Sequence, residues 1–143
     1  TNTLDDVLRH ADALEETQQH QQVLDTLTTY NNSTAAAGTR NDEKHCGVLW
    51  RLARAHERLW QKSVASNDIK QQEHHFQQGL LHSKKAMLQD EYSGPAHKWL
   101  AIYLGMEAEA GGVLASARNA KDIDLHLRRA LETLPNDSTL HFM

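Results

Sequence analysis

Apolar residues recur along this chain at intervals of three and four, the spacing of helices that bury one face, in six segments. The first, from about Leu4 to Thr17, sets Leu4, Val7, Leu8, Ala11 and Leu14 on one side. Asn2 or Thr3 is placed to cap it, and Asp5 and Asp6 lie in its first turn, where the helix dipole favours negative charge. A second, from about Gln19 to Tyr30, carries Val23, Leu24, Leu27 and Tyr30; Asn31 to Asp42 then has the composition of a loop. The third spans Asp42 to Ser63, with Val48, Leu49, Leu52, Ala53, His56, Leu59 and Trp60 in its stripe. A fourth runs from Asp68 to Gln89 through Phe76, Leu80, Leu81, Ala86 and Leu88, and the polar stretch 61–78 is a helix extension or a connector. Pro95 suits the first position of a fifth helix, about Ala96 to Ala110, through Trp99, Leu100, Tyr103 and Leu104, which the glycines at 111–112 stop or loosen. The sixth, about Ala120 to Leu134, ends at Pro135 with Ile123, Leu127, Ala130, Leu131 and Leu134 inward. "NDSTLHFM" reads as the capped start of a seventh.

These helices fall into pairs. "LRHADAL", "LWRLARAH" and "HKWLAIYL" each place a small residue (Ala11, Ala53, Ala101) three positions before a large one. The second helices share a basic pair followed by alanine, in "KKAMLQD" and "RRALETLPND". The pattern resembles the tetratricopeptide repeat, in which the small residue lets two antiparallel helices approach. Here the aligned alanines stand 42 and 48 residues apart, against about 34 in that repeat, so the units are lengthened. The expected fold is all-α: one domain over 1–143, with repeats at 3–31, 42–90 and 95–135, a truncated one from 136, and a right-handed superhelical twist. A chain of 143 residues suits one such domain, and its abundance of Leu, Ala, Gln, Glu and Lys favours helix over strand. Starting at Thr1 and stopping within a helical pattern, the chain reads as a fragment, so a targeting or anchoring segment outside it stays open.

Three blocks in this order, "LWRLARAH" (49–56), "HKWLAIYLGMEAEAGG" (97–112) and "HLRRALETLPNDSTLHFM" (126–143), resemble the regulator of microtubule dynamics family. The resemblance implies a tetratricopeptide-like domain without enzymatic activity that associates with microtubules and spindle poles in chromosome segregation, in the cytoplasm and on the cytoskeleton. It also implies an alternative. Some relatives are anchored at the mitochondrial outer surface, bridge to the endoplasmic reticulum and bind phospholipid through this domain. The segment "KQQEHHFQQGLLHSKK" (70–85) departs from the family pattern.

Candidate chemistry is sparse. His56-Glu57 opens like the zinc motif H-E-x-x-H, but Trp60 occupies the closing position and cannot ligate, so no metal is expected there. No nucleophile triad and no phosphate loop appears, and neither an enzyme nor a cofactor is expected. The strongest local feature is Arg51, Arg54, Arg58 and Lys62, which helical geometry puts on one face. In a tetratricopeptide-like array Trp50, Arg54 and Lys98 line the inner groove. There the basic row meets the glutamate-rich tails of tubulin or another peptide. The plainer expectation is that these cations pair with Glu43, Glu57 or neighbouring carboxylates. Lys84-Lys85 and Arg128-Arg129 suit helix carboxyl ends. Trp50, Trp60, Trp99 and Tyr103 are expected in the core. The formal charge of −4 disfavours nucleic acid as a partner, Cys46 has no disulfide mate, and no apolar run approaches the roughly 18 residues of a membrane span. Of the ten histidines, His74-His75 with His82 puts two on one helix face at i and i+7, a spacing poor for one metal, and His45-Cys46 has no partner at ligand spacing. They are expected in solvent or at the core edge, with a pH-dependent charge near 6.5 as the less favoured role.

Overall fold

A computed structural model describes residues 3–37, 45–137 and 140, with all their side chains except those of 35–37, 113 and 115. Its regular structure is helical throughout the described residues: α1 (Leu4–Glu16), α2 (His20–Ala37), α3 (Cys46–Ala65), α4 (Ile69–Gln89) and α5 (Gly94–Thr133). The all-α expectation holds.

The helix starts follow from capping chemistry. Thr3 accepts from the Asp6 amide at 3.3 Å, Asp68 from Gln71 at 3.2 Å and Ser93 from Ala96 at 3.2 Å, each satisfying an amide that the first turn leaves orphaned. Pro95 sits in the first turn of α5, where its missing N–H costs nothing. The α1–α2 and α3–α4 turns are built alike. Gln18 and Asn67 take left-handed conformations (φ 60 and 59), the Gln19 and Asp68 amides reach back to Leu14 and Ser63 at 2.9 Å, and Gln18 and Asn67 reach Glu15 and Val64. This is the Schellman stop, which recovers the last carbonyls of a helix. The stretch 61–78 is therefore helix on either side of a three-residue turn, 66–68.

Two boundaries differ from the sequence pattern. α2 does not end at Tyr30 but continues to Ala37. Ser33 and Thr34 turn their hydroxyls back to the carbonyls of Thr29 and Asn31, both at 3.0 Å, and the following alanines favour helix strongly. Residues 38–44, with the expected start of α3 and Glu43, lie outside the described residues, as do most of those from 138 onward. α5 is two helices meeting at Gly112, whose φ of 76 and ψ of −159 belong to a region essentially reserved for glycine. Residues equidistant from that break meet. Ser116 donates to the Ala108 carbonyl at 3.4 Å, Asn119 to Glu107 at 2.8 Å, His126 meets His97, and Thr133 lies against Gly94. The arms 94–111 and 113–133 thus form an antiparallel hairpin, and the second is helical from its first residue, not from about Ala120.

α3 is the central element and packs against α1, α2, α4 and α5. One core cluster joins Val7, Ala11 and Leu14 to Val23, Leu27, Val48, Leu49 and Leu52. A second joins Ala53 to Trp99 and Tyr103. Burying each large side chain contributes about 1.5–3 kcal/mol. The three aligned alanines, Ala11, Ala53 and Ala101, are wholly buried. Above Ala53 the Tyr103 hydroxyl of α5 donates to its carbonyl at 2.7 Å.

Candidate functional site

The basic face of α3 is turned toward α1. Asp12 takes both Nε and Nη2 of Arg51, at 2.8 and 2.9 Å, and also Nη2 of Arg54 at 2.9 Å. One turn on, Glu15 meets Arg54 at 3.3 Å and Arg58 at 3.2 Å, and Arg58 reaches Glu57 at 2.7 Å. The pairing advances along both helices together, so α1 and α3 run parallel. Burial works to raise the Asp12 carboxyl, but the guanidinium hydrogen bonds from Arg51 and Arg54 outweigh it and hold the group below its ordinary value. Trp50 lies half-buried beneath this ladder, with Arg51 at 4.2 Å and Arg54 at 5.2 Å from its ring.

Arg58, Lys62 and Lys98 are placed differently. Arg58 is the most open of the three arginines, its side chain 35% exposed against 15% and 14% for Arg51 and Arg54. Lys62 is exposed one turn further and, among the described residues, forms no ion pair. Lys98 binds Asp137 at 2.7 Å. Arg58 and Lys98 both stand over Trp99, at 5.5 and 5.3 Å. They edge an open groove of about 600 Å³ between α3 and the α5 hairpin, floored by Trp99, Ile102, Met106 and Ile123, with Glu57 and Glu109 also on its rim. The six residues singled out from the sequence thus divide into Trp50, Arg51 and Arg54 at the α1 contact and Arg58, Lys62 and Lys98 at or beside the groove.

Trp99 and Tyr103 fill the core as expected, whereas Trp60 is partly exposed. Burial, and then the Glu57 carboxylate, keep the Tyr103 phenol protonated far above the physiological range. Cys46 is buried, and burial raises its thiol, so it stays in the unreactive protonated form at neutral pH. The histidines are more organised than sequence spacing suggests. His45 bonds to the buried Asn31 side chain at 2.6 Å, His56 meets three histidines of α4, and His97 pairs with His126. His97 Nε2 donates to the Glu91 carbonyl, so the neutral ring presents a bare Nδ1 to the Nδ1–H of His126, 2.7 Å away. Burial and then His97 lower the His126 pKa. The signal for these pairs is only partly in the sequence: His56 occupies the apolar stripe of α3, and nothing local names its partner.

Helices throughout the regular structure of the described residues, an ion-paired first seam and an open groove define an all-α helical array. A family model described as regulator of microtubule dynamics protein 1-3 matches residues 7–143. Regulator of microtubule dynamics protein 1 of Bos taurus is 33% identical over 141 residues, covering 98% of this chain and 41% of that protein. The protein of the same name from Pongo abelii is 33% identical over 144 residues, covering 100% and 42%. Regulator of microtubule dynamics protein 3 of Rattus norvegicus is 27% identical over 112 residues, covering 78% and 22%. No solved structure matches. The chain belongs to the regulator of microtubule dynamics family, and spans about two-fifths of the length of the protein 1 relatives it matches.

Proposed function

We propose that this chain is a non-enzymatic, tetratricopeptide-like scaffold that associates with microtubules and serves spindle function and chromosome segregation, working in the cytoplasm and on the cytoskeleton. Its contact is the groove between α3 and the α5 hairpin. The observation that carries the reading is the pair of cations, Arg58 and Lys98, held over Trp99 on the groove's apolar floor. It stands in a chain whose relatives are named for the regulation of microtubule dynamics. An acidic peptide segment finds there an apolar floor with Arg58 and Lys98 at its edge, and Lys62 extends the positive edge along α3. Arg51 and Arg54 contribute indirectly, by holding α1 in place.

Reversing Arg51 or Arg54 disturbs the fold, so the test belongs on the exposed edge. The paired substitution Arg58→Gln and Lys62→Glu should weaken co-sedimentation with microtubules by about tenfold at low salt and flatten the salt dependence of what remains. Unchanged binding by the folded variant rules out this edge. Phospholipid binding at contacts between mitochondrion and endoplasmic reticulum asks for an enclosed apolar chamber. The groove is open and ringed with charge, so it suits a polar chain segment better than acyl tails. Native mass spectrometry decides between the two, since phospholipid retained through purification would favour the lipid role.

A further inference from the structure

Four histidines converge where α4 closes on α3. His56 comes from α3, and His74, His75 and His82 from α4. Nδ1 of His56 lies 3.0 Å from Nδ1 of His75, and both residues are buried. The His82 ring stacks on His56 at 5.7 Å and 13°, and the His74 ring stands 6.0 Å from His56 and 5.1 Å from His75. His56, His74 and His82 also face an open groove whose other wall is α2.

This packing suits neutral rings. A contact of 3.0 Å between two Nδ1 atoms needs one N–H and one lone pair; two imidazolium rings present two donors and repel. The stacked His56 and His82 turn faces, not lone pairs, toward each other, and among the described residues no three ligands converge as a metal requires. Among the described residues, several charged groups near the cluster have partners of their own. From α2, Asp25 lines the groove and already accepts from Gln21 at 3.0 Å. On α3, Glu57 is turned to Arg58 and Gln61, and Arg54 is turned to α1. On α4, Glu73 accepts from Gln77.

We propose that His56 and His75, packed against His74 and His82, form a proton-operated latch: their neutral rings hold α4 shut on α3, and proton uptake in mildly acidic surroundings releases it. The release reaches the groove between α3 and the α5 hairpin. The Tyr103 ring lies against Gly79 of α4 so closely that a methyl there would collide with it, and the same residue bonds to Ala53 of α3. Loosening α4 therefore frees the residue that fixes the first arm of α5. This inference is independent of the microtubule reading.

The direction follows from proton linkage. Burial, then His82, His75 and His74, push His56 down to about 3 from an ordinary 6.5, and burial followed by His74 lowers His75. Below pH 6.5 the closed form thus holds fewer protons than the open one. Closure is unaffected above that pH and weakens as pH falls toward 3. In this window, each group that ionises only on opening multiplies the opening constant by about ten per pH unit.

Hydrogen exchange on the whole chain, measured without and with EDTA and with rates corrected for intrinsic chemistry, tests the latch at pH 7.5 and 5.5. The opening constant for amides in 69–83 should rise by about tenfold at the lower pH while that of α1 stays level. His56→Phe, which keeps a ring in place, should cut the rise to about threefold or less; if it does not fold, His74→Gln on the exposed side should give a smaller cut. Equal loss in every helix, no loss in 69–83, or a rise that survives the substitutions overturns the proposal. So does protection at pH 7.5 that collapses when EDTA is added, which would assign the cluster to a metal.

Discussion

Asp12 ties two arginines of α3 at once, and its behaviour shows how a half-exposed carboxylate can matter. Replacing it with Asn keeps the shape and removes the charge from three hydrogen bonds. Because the group is 43% exposed, water takes back part of the loss, and Asp12→Asn should cost about 1–2 kcal/mol in urea unfolding at pH 7. The folded-state pKa lies below the ordinary 3.8, so the stabilisation is present above that value and fades as pH falls through it. The gap between wild type and variant should therefore shrink on acidification below about pH 4; a gap constant from pH 7 to 3 would refute the assignment. At this scale the sequence showed which residues share a face but not what covers the face. The spacing of Arg51, Arg54 and Arg58 marks one side of α3. Their anions sit some forty residues earlier, on a helix whose own pattern gives no hint of direction.

At the scale of the element, the two Schellman turns carry one unmet cost. Asn67 tolerates the left-handed conformation, whereas Gln18 adopts φ 60 with a full side chain. Gln18→Gly should stabilise the protein by about 0.5–1 kcal/mol, read as a higher urea midpoint with unchanged slope. A fall in midpoint would show that the side chain does something the turn needs, such as closing off the end of α1. Three helix starts were legible, since Thr3, Asp68 and Pro95 announce themselves by type and position, whereas the pattern starts the second α5 arm several residues too late. Ends were less so. Asn, Ser and Thr after Tyr30 look like a loop until their hydroxyls are seen returning to carbonyls of the same helix. At the other glycine-rich boundary, the pattern located a break but not its sharpness: a single residue, Gly112, reverses the chain.

For the whole molecule, Tyr103 is the point where three helices depend on one another: it belongs to α5, its hydroxyl bonds to α3 and its ring fills the place left by Gly79 on α4. Tyr103→Phe leaves the buried Ala53 carbonyl short of a partner and should cost about 1–2 kcal/mol, with unfolding still a single transition. Separate transitions for the two ends of the chain would show that the residue does not couple them. The burial of Ala11, Ala53 and Ala101 was readable from their alignment, because close approach demands small side chains. The histidine seam was not, because its members lie on two helices and meet only after folding. The parallel clasp of α1 on α3 has one more consequence. α1 brings five acids and one arginine over a row of three guanidinium groups. Those acids cover a cationic strip beside Trp50, so the charge that α3 shows to its surroundings is set by the helix that lies on it.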